Sequence, residues 1–148
     1  MNKISPSRGK VLLVDDDASL LSKYLGALQE LNYEVITADS FPSAVIALKG
    51  HNFAAVLTDL NMDTWDAGFL LAKYVTENYK GTSVVIHTAD GNRAYVHTNY
   101  STRAKECGAV GIFAKDEHTA IDKLGEVVKG YSDKHIRKKN SSTGELEI

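Results

Sequence analysis

The chain has 148 residues, of which 43% are hydrophobic and 24% charged, so it suits one globular domain with a substantial core. Its formal net charge of −2 gives no broad basic field, and we expect no nucleic acid partner for the domain. The single cysteine, Cys107, cannot form an internal disulfide, and no signal peptide or membrane-length apolar run is recognisable. These features predict a cytoplasmic protein without a membrane partner.

Short apolar runs rich in β-branched residues alternate along the chain with segments of helical periodicity. The pattern predicts, in chain order, a strand over 10–14, a helix over 18–31, a strand over 33–37, a helix over 40–49, a strand over 53–57, a helix from about 69 that ends before 81, a strand over 83–87, a polar helix within 93–107, a strand over 112–114 and a helix over 119–129. Ser40 is the expected N-cap of the second helix, and Gly50 its stop signal. Because right-handed crossovers place helices on both faces of a parallel sheet, the alternation predicts an α/β fold of five βα units.

The composition changes at both ends of this alternating region. We predict an N-terminal extension over 1–9, a folded domain over 10–131 and a polar C-terminal tail or linker stub over 132–148. The basic residues of the tail are explained by solvation and need no nucleic acid. Since the tail is too short for a DNA-binding or catalytic domain, we expect either a single-domain protein or a piece of a longer one.

Polar residues follow four of the predicted strands at the point where each strand ends. Asp15 and Asp16 follow the first strand, Asp59 the third, Thr88 the fourth and Lys115 the fifth. In an open parallel sheet, ligands bind beyond the carboxyl ends of the strands. We therefore expect these side chains to meet at one rim of the sheet.

Three of these side chains are carboxylates, which raise one another's pKa when they lie close together. A hard divalent cation removes that conflict, and Mg²⁺ prefers oxygen ligands. The sequence therefore predicts a Mg²⁺ site made of Asp15, Asp16 and Asp59, with the main-chain carbonyl of Asn61 as a further oxygen ligand.

Asp59 is also suited to act as a nucleophile, because a carboxylate can attack phosphorus and form an aspartyl-phosphate. The cation and Lys115 would then neutralise the charge on the phosphoryl oxygens. The hydroxyl of Thr88 could donate a hydrogen bond to the attached group. Asp59 is thus the predicted phosphoacceptor, assisted by Thr88 and Lys115.

Four motifs together resemble the receiver domain of two-component response regulators: "VLLVDDD", "VLTDLNM", "VVIHTA" and "GAVGIFAK". The resemblance covers residues 10 to about 130, with the motifs in the order found in that family. It implies a flavodoxin-like (βα)5 fold with a doubly wound five-stranded parallel sheet. It also implies that Asp59 accepts a phosphoryl group from a histidine kinase or phosphotransfer protein, with Mg²⁺ bound, and that an output partner or effector domain reads the result.

The sequence departs from the family pattern in the segment after Asp59. Asp63 stands where the family usually has proline, which predicts a looser turn. The usual Asp-Gly pair appears as Asp66-Ala67, with Gly68 one place late.

Further departures lie around the fifth strand. Asp116 follows Lys115 in place of the usual proline, which removes a rigid turn. The switch aromatic expected three residues before the lysine is Ile112, while Phe113 should point to the opposite face of the sheet. Between Thr88 and Lys115 the chain is longer than the family norm and polar, so we expect an altered signalling surface there.

The acids and the lysine also have simpler structural interpretations. Asp15 and Asp16 could cap the first helix, with Asp17 facing solvent, and Lys115 could be an ordinary surface lysine. These interpretations stay open at the level of sequence, and the functional one depends on the residues occurring together.

Other polar residues near the predicted site carry weaker signals. Asn61 and Asp90 flank the expected phosphoryl group and could tune attack by water. Trp65 lies in the loop after Asp59 and could cover the site or report on it by fluorescence. The histidines have no metal-ligand spacing and are interpreted as structural residues: His51, His87, His97, His118 and His135.

These residues are compatible with three classes of function to different degrees. A phosphorylation-dependent signalling switch, which is not an enzyme, fits the strand-end residues best. A degenerate receiver that binds proteins without phosphate is favoured only by the departures at Asp63, Ile112 and Asp116. A hydrolase that uses an aspartyl-phosphate would need an acid two residues after the nucleophile, where Asn61 stands.

Overall fold

The computed structural model describes residues 6–89, 99–115 and 119–130. Its elements, in chain order, are β1 (Lys10–Val14), α1 (Ala18–Glu30), β2 (Glu34–Ala38), α2 (Phe41–Gly50), β3 (Ala55–Asp59), α3 (Ala67–Asn78), β4 (Ser83–Thr88), α4 (Asn99–Glu106), β5 (Gly111–Ala114) and α5 (119–130). The predicted strand and helix alternation is therefore confirmed across these residues.

The five strands form one parallel sheet in the order β2-β1-β3-β4-β5. The chain runs outward from β1 to β2, then crosses back to β3 on the other side of β1 and continues to β5. The direction of winding thus reverses between β1 and β3, where open sheets of this kind form a crevice. The predicted doubly wound five-stranded sheet is confirmed.

Two apolar layers enclose the sheet, one on each face. Even-numbered strand residues such as Leu12, Val56 and Ile86 pack against α2, α3 and α4. Odd-numbered residues such as Leu13 and Leu57 pack against α1 and α5. Because both faces are covered, the strands are continuous apolar runs, which is the pattern that made them recognisable in the sequence.

The predicted bounds of the third strand, 53–57, are wrong by two residues at each end. Strand β3 runs instead from Ala55 to Asp59. Parallel pairing continues through the polar end, since Thr58 lies opposite Val14 and Asp59 lies opposite His87. Polar character therefore does not end this strand, and Asp59 belongs to the sheet itself.

Helix α2 begins as predicted, because Ser40 is its N-cap and accepts a hydrogen bond from the backbone of Ser43. Its end differs by one residue. Gly50 is the last residue of the helix and His51 is the C-cap, so the predicted stop at Gly50 is wrong by one position.

Some sequence predictions fall outside the described residues. They concern Asp90, His97, Asp116, His118, His135, the beginning of the N-terminal extension and the C-terminal tail. Within the part of the chain that the structure describes, no helix is both long enough and apolar enough to span a bilayer.

Candidate functional site

Strands β1 and β3 bring two acids together at the carboxyl edge of the sheet. Asp15 directly follows β1 and is fully buried, and Asp59 ends β3 with 5% of its surface exposed. Asp16, the next residue after Asp15, is exposed. Carboxylate oxygens of all three acids lie within 4.8 Å of one another, in an arrangement that could hold a metal ion.

Lys115 bridges the two buried acids from the end of β5. Its Nζ atom lies 2.8 Å from Asp15 Oδ2 and 3.3 Å from Asp59 Oδ1. Its backbone N–H donates to the carbonyl of Thr88 at 2.7 Å, which fixes the lysine to the end of β4. Only 6% of the side chain is exposed, so the alternative of an ordinary surface lysine is wrong.

The electrostatic environment gives the two buried acids different pKa values. Burial raises the pKa of Asp59 to about 6, and Asp15 and Asp16 add to the rise against the opposing effect of Lys115. Burial would also raise the pKa of Asp15, but the nearby His87 ring, the Lys115 ammonium and the Asp17 backbone N–H outweigh it and lower that pKa to about 2. Asp15 is therefore the firmly ionised member of the pair.

Lys115 remains the counter-charge of this cluster. Burial alone would lower the pKa of its ammonium group, but the contacts with Asp15 and Asp59 outweigh burial and raise it. The lysine is therefore charged at neutral pH. It offsets only part of the negative charge of three acids, so the cluster keeps an attraction for a further cation.

Helix α1 is capped by Asp17. One carboxylate oxygen of Asp17 accepts hydrogen bonds from the backbone N–H groups of Ser19 and Leu20, at 3.0 and 3.2 Å. The backbone N–H of Asp17 in turn donates to Asp15 Oδ1 at 2.9 Å. The alternative that Asp15 or Asp16 caps this helix is therefore wrong, because Asp17 is the N-cap and the other two acids lie at the rim of the sheet.

The structure places the two remaining predicted site residues, Thr88 and Asn61, in different surroundings. Thr88 is buried at the end of β4, beside the β3 end that carries Asp59. Asn61 is exposed in the loop after β3, and its side-chain amide donates to the carbonyl of Trp65 at 2.6 Å. The roles of the Thr88 hydroxyl and of the Asn61 carbonyl stay predictions.

The sequence interpretation missed His87, which lies inside the cluster. This fully buried residue sits opposite Asp59 in the sheet, and its Nε2 atom is 3.5 Å from Asp15 Oδ2. Burial lowers the pKa of the imidazole, so the ring is neutral at neutral pH. The sequence did contain a signal for this residue. His87 is a polar residue in a strand that is covered on both faces, and its odd number places it on the same face of the sheet as Asp15 and Asp59.

The loop from Asp59 to α3 is held by close backbone packing at Gly68. A Cβ atom at this position would lie 2.7 Å from the carbonyl oxygen of Asp59 and 2.8 Å from the Cα atom of Leu60. The backbone N–H of Gly68 also donates to the Leu60 carbonyl at 2.8 Å. The glycine that stands one place late in the sequence is thus the residue that allows α3 to approach the end of β3.

Asp63 gives the same loop a second attachment. Its carboxylate Oδ1 accepts a hydrogen bond from the backbone N–H of Phe41, the first residue of α2, at 2.9 Å. This contact satisfies an N–H group that the helix cannot pair internally. The expectation of a looser turn at Asp63 therefore misses a side-chain contact that joins the loop to α2.

A cluster of aromatic rings and one arginine joins the loop to α4. The Trp65 ring stacks on Tyr100 with a centroid distance of 6.4 Å and an interplanar angle of 25°. The Arg103 guanidinium lies 5.1 Å from the ring centroids of both Trp65 and Phe69, and 3.6 Å from a carboxylate oxygen of Asp66. These contacts connect α4 with the loop that follows Asp59.

Strand β5 carries an aliphatic and an aromatic residue on opposite faces of the sheet, as the sequence predicts. Ile112 is buried in the layer that contains α4, and Phe113 packs into the opposite layer with α1 and α5. The prediction that Phe113 faces away from the Ile112 side is confirmed. An aliphatic side chain therefore occupies the position where the family usually has its switch aromatic.

Comparison with known proteins identifies the family of the chain. The model of the response regulator receiver domain family matches residues 11–129. The chain belongs to this family. A relative from Rhizobium etli named "Probable chemotaxis protein CheY" is 33% identical over 108 residues, which are 72% of this chain and 80% of the relative.

Solved receiver structures have the same fold. The chemotaxis response regulator CheY4 of Vibrio cholerae superposes with a TM-score of 0.68 at 29% identity, over 80% of this chain and 97% of that protein. The response regulator TrrA of Thermotoga maritima, solved in complex with Mg²⁺–BeF, gives a TM-score of 0.64 at 22% identity, over 82% of this receiver and 97% of TrrA. The resemblance to receiver domains and the flavodoxin-like fold are therefore confirmed.

Proposed function

We propose that this receiver domain is a phosphorylation-dependent switch whose phosphoacceptor is Asp59. The observation that carries the proposal is the meeting of three carboxylates and one buried lysine at the carboxyl edge of the sheet. A purely structural role explains this cluster poorly, because Lys115 compensates only part of the charge of three neighbouring acids. Membership of the receiver family supports the same role.

The donor set fits Mg²⁺ in its chemistry. All three side chains, those of Asp15, Asp16 and Asp59, offer carboxylate oxygens, the ligand type that this cation prefers. Burial is the main cause of the raised pKa of Asp59, and the charges of Asp15 and Asp16 add to the rise, so a nearby cation would favour the ionised form of this acid. We assign the main-chain carbonyl of Asn61 to the same site as a fourth oxygen ligand. Mg²⁺ would neutralise charge on the phosphoryl oxygens during transfer.

The reaction proposed at Asp59 is a displacement at phosphorus. One carboxylate oxygen of Asp59 attacks the phosphorus atom and forms a P–O bond, while the bond from phosphorus to the donor breaks and the donor keeps its electron pair. Lys115 lies against Asp59 before the reaction and can turn its ammonium group to the new phosphoryl oxygens. The Thr88 hydroxyl, at the end of the neighbouring strand, would donate to the attached group.

The proposed phosphodonor is a histidine kinase or a phosphotransfer protein, and the proposed readers are an output partner or an effector domain. Family membership supports both classes of partner. The solved complex of TrrA with Mg²⁺–BeF supports occupancy of such a site in a protein of this fold. We also propose a cytoplasmic location, where such donors are found.

A second candidate function is recognition of a partner without phosphorylation. The buried Ile112 favours it, because an aliphatic side chain in the layer of α4 cannot act as a rotating aromatic switch. In that case the acids at the rim would serve only to bind a cation or to stay paired with Lys115.

Intact mass spectrometry distinguishes the two candidates. The protein is incubated with acetyl phosphate and Mg²⁺, and its mass is compared with that of Asp59→Asn treated in the same way. We expect a gain of one phosphoryl group in the wild type and none in the variant. The acid-to-amide change Asp122→Asn, at an exposed position of α5, is the matched control and should leave the gain intact.

Absence of any mass gain, with acetyl phosphate and with a panel of phosphorylated phosphotransfer proteins, would favour phosphate-independent recognition. A gain that persists in Asp59→Asn would place the acceptor elsewhere in the chain.

A further inference from the structure

His87 is a fully buried imidazole directly beneath the proposed cation site. It lies opposite Asp59 in the pairing of β3 with β4, and its ring packs against Tyr24 of α1 at a centroid distance of 5.1 Å. Its Nε2 atom faces Asp15 Oδ2 at 3.5 Å. Within the described residues, neither ring nitrogen has a hydrogen-bond partner of good geometry.

A buried imidazole at this position destabilises the fold unless its ring nitrogens make a polar interaction. Burying a polar group without a hydrogen bond opposes folding, whereas the same layer accepts Leu57 and Val85 without that penalty. The distance from Nε2 to Asp15 is a few tenths of an ångström longer than a good hydrogen bond. Such contacts at reaction sites are often long before ligands bind and shorten afterwards.

Lys115 and His87 share one oxygen of Asp15. The Lys115 ammonium lies 2.8 Å from Asp15 Oδ2, while Asp15 Oδ1 accepts a hydrogen bond from the backbone N–H of Asp17. When Lys115 turns to the phosphoryl group in the proposed reaction, Oδ2 loses its stronger donor. Since Asp15 is fully buried, His87 is then the donor already in place to hold that oxygen.

We propose that His87 is a positioning residue, whose Nε2–H donates to Asp15 Oδ2 and holds the Asp15 carboxylate in the orientation that binds Mg²⁺. This inference rests on the proposed function, because it assigns His87 to the same cation site. Burial lowers the pKa of His87, which agrees with a neutral ring that carries one N–H. Partners that orient metal ligands typically change metal affinity by about 10–100-fold when they are removed.

Two variants of equal length separate hydrogen bonding from packing. His87→Gln keeps an N–H donor near the position of Nε2, whereas His87→Met has similar length and no donor. Mg²⁺ affinity is measured from the backbone amide shifts of residues 15–17 during a titration with MgCl₂. We expect Kd to rise about 10-fold or more in His87→Met and to stay within about 3-fold of wild type in His87→Gln.

Equal Kd values in the two variants, whether both weak or both unchanged, would overturn the inference, because the donor would then have no effect. If His87→Met does not fold, the tautomer of the His87 ring in the wild type tests the inference instead. Long-range ¹H–¹⁵N correlation spectra should show the proton on Nε2, and a proton on Nδ1 would overturn the inference.

The proposed function has a separate outcome in the same titration. If wild-type amides at residues 15–17 do not respond to MgCl₂ at all, the cation site itself is refuted. If they respond equally in wild type and His87→Met, only the role of His87 is refuted.

Discussion

At the scale of single residues, Asp59 lies in surroundings that oppose its negative charge. It is almost fully buried beside Asp15 and Asp16, and Lys115 compensates only part of that charge. A reactive carboxylate needs such a setting, since an acid that was fully paired within the protein would have no affinity left for a cation and a phosphoryl group. The same setting weakens the unliganded fold.

Asp59→Asn is expected to stabilise the protein without Mg²⁺. The folded-state pKa of about 6 lies above the ordinary value of 3.8, so between these values the folded protein holds a proton that the unfolded chain has released. Stability should therefore fall as pH rises from about 4 to about 6. At pH 7 the amide should raise the free energy of unfolding by about 3 kcal/mol, because the pKa is raised by about two units and one pKa unit corresponds to about 1.4 kcal/mol.

Urea unfolding in EDTA, at a series of pH values, measures this effect. The decline between about pH 4 and pH 6 should be present in wild type and flattened in Asp59→Asn. Asp15 contributes in a lower window, because its pKa is lowered to about 2 and its stabilisation is lost as pH falls through that value. A variant less stable than wild type at pH 7 would contradict the prediction.

At the scale of elements, the approach of α3 to the end of β3 depends on Gly68. Gly68→Ala would place a methyl group against the backbone of Asp59 and Leu60, which cannot yield as a side chain can. We expect a loss of about 1–3 kcal/mol in the free energy of unfolding. Acceptance of phosphate should also slow, because the displaced backbone carries the proposed acceptor, Asp59.

Gly26→Ala is the matched control for this prediction. Gly26 lies within α1, and a Cβ atom there would meet no atom within 4 Å. The substitution should stabilise the fold by about 0.5–1 kcal/mol, because alanine has a higher helix propensity than glycine. Urea unfolding of both variants gives the comparison, and a neutral Gly68→Ala would show that α3 can shift without loss.

At the scale of the whole molecule, the sheet brings the residues of the proposed cation site together from segments far apart in the chain. Binding of Mg²⁺ to the folded state alone should stabilise the entire domain. Asp16 is the acid of the cluster that is exposed, so Asp16→Asn should change the stability of the metal-free protein by less than about 0.5 kcal/mol. It should, however, abolish most of the rise in Tm that MgCl₂ produces in the wild type.

Asp17→Asn is the control for that experiment. Asparagine caps a helix about as well as aspartate, so this variant removes one neighbouring charge and keeps the cap of α1. Its Tm should still rise with MgCl₂. If Asp16→Asn keeps the full rise as well, Asp16 is not a ligand.

Much of this arrangement could be predicted from the sequence, because topology alone determines where parallel strands end. That rule places Asp15, Asp59 and Lys115 on one rim before any contact is known. The contact of His87 with Asp15 could not be predicted in the same way, since it depends on which side chain fills the space below the rim. The close approach at Gly68 likewise depends on the packing distance between α3 and β3, which no local pattern encodes.

The hydrogen bond from Phe41 to Asp63 has a consequence for how a modification at Asp59 could be transmitted. The segment that follows Asp59 is anchored on one flank to the first turn of α2 and on the other to α4, through Trp65 and Arg103. It cannot be displaced without either pulling on both helices or releasing one of them. A change at the Asp59 carboxylate that moved this segment would therefore act on two helices that lie on the same face of the sheet, α2 and α4.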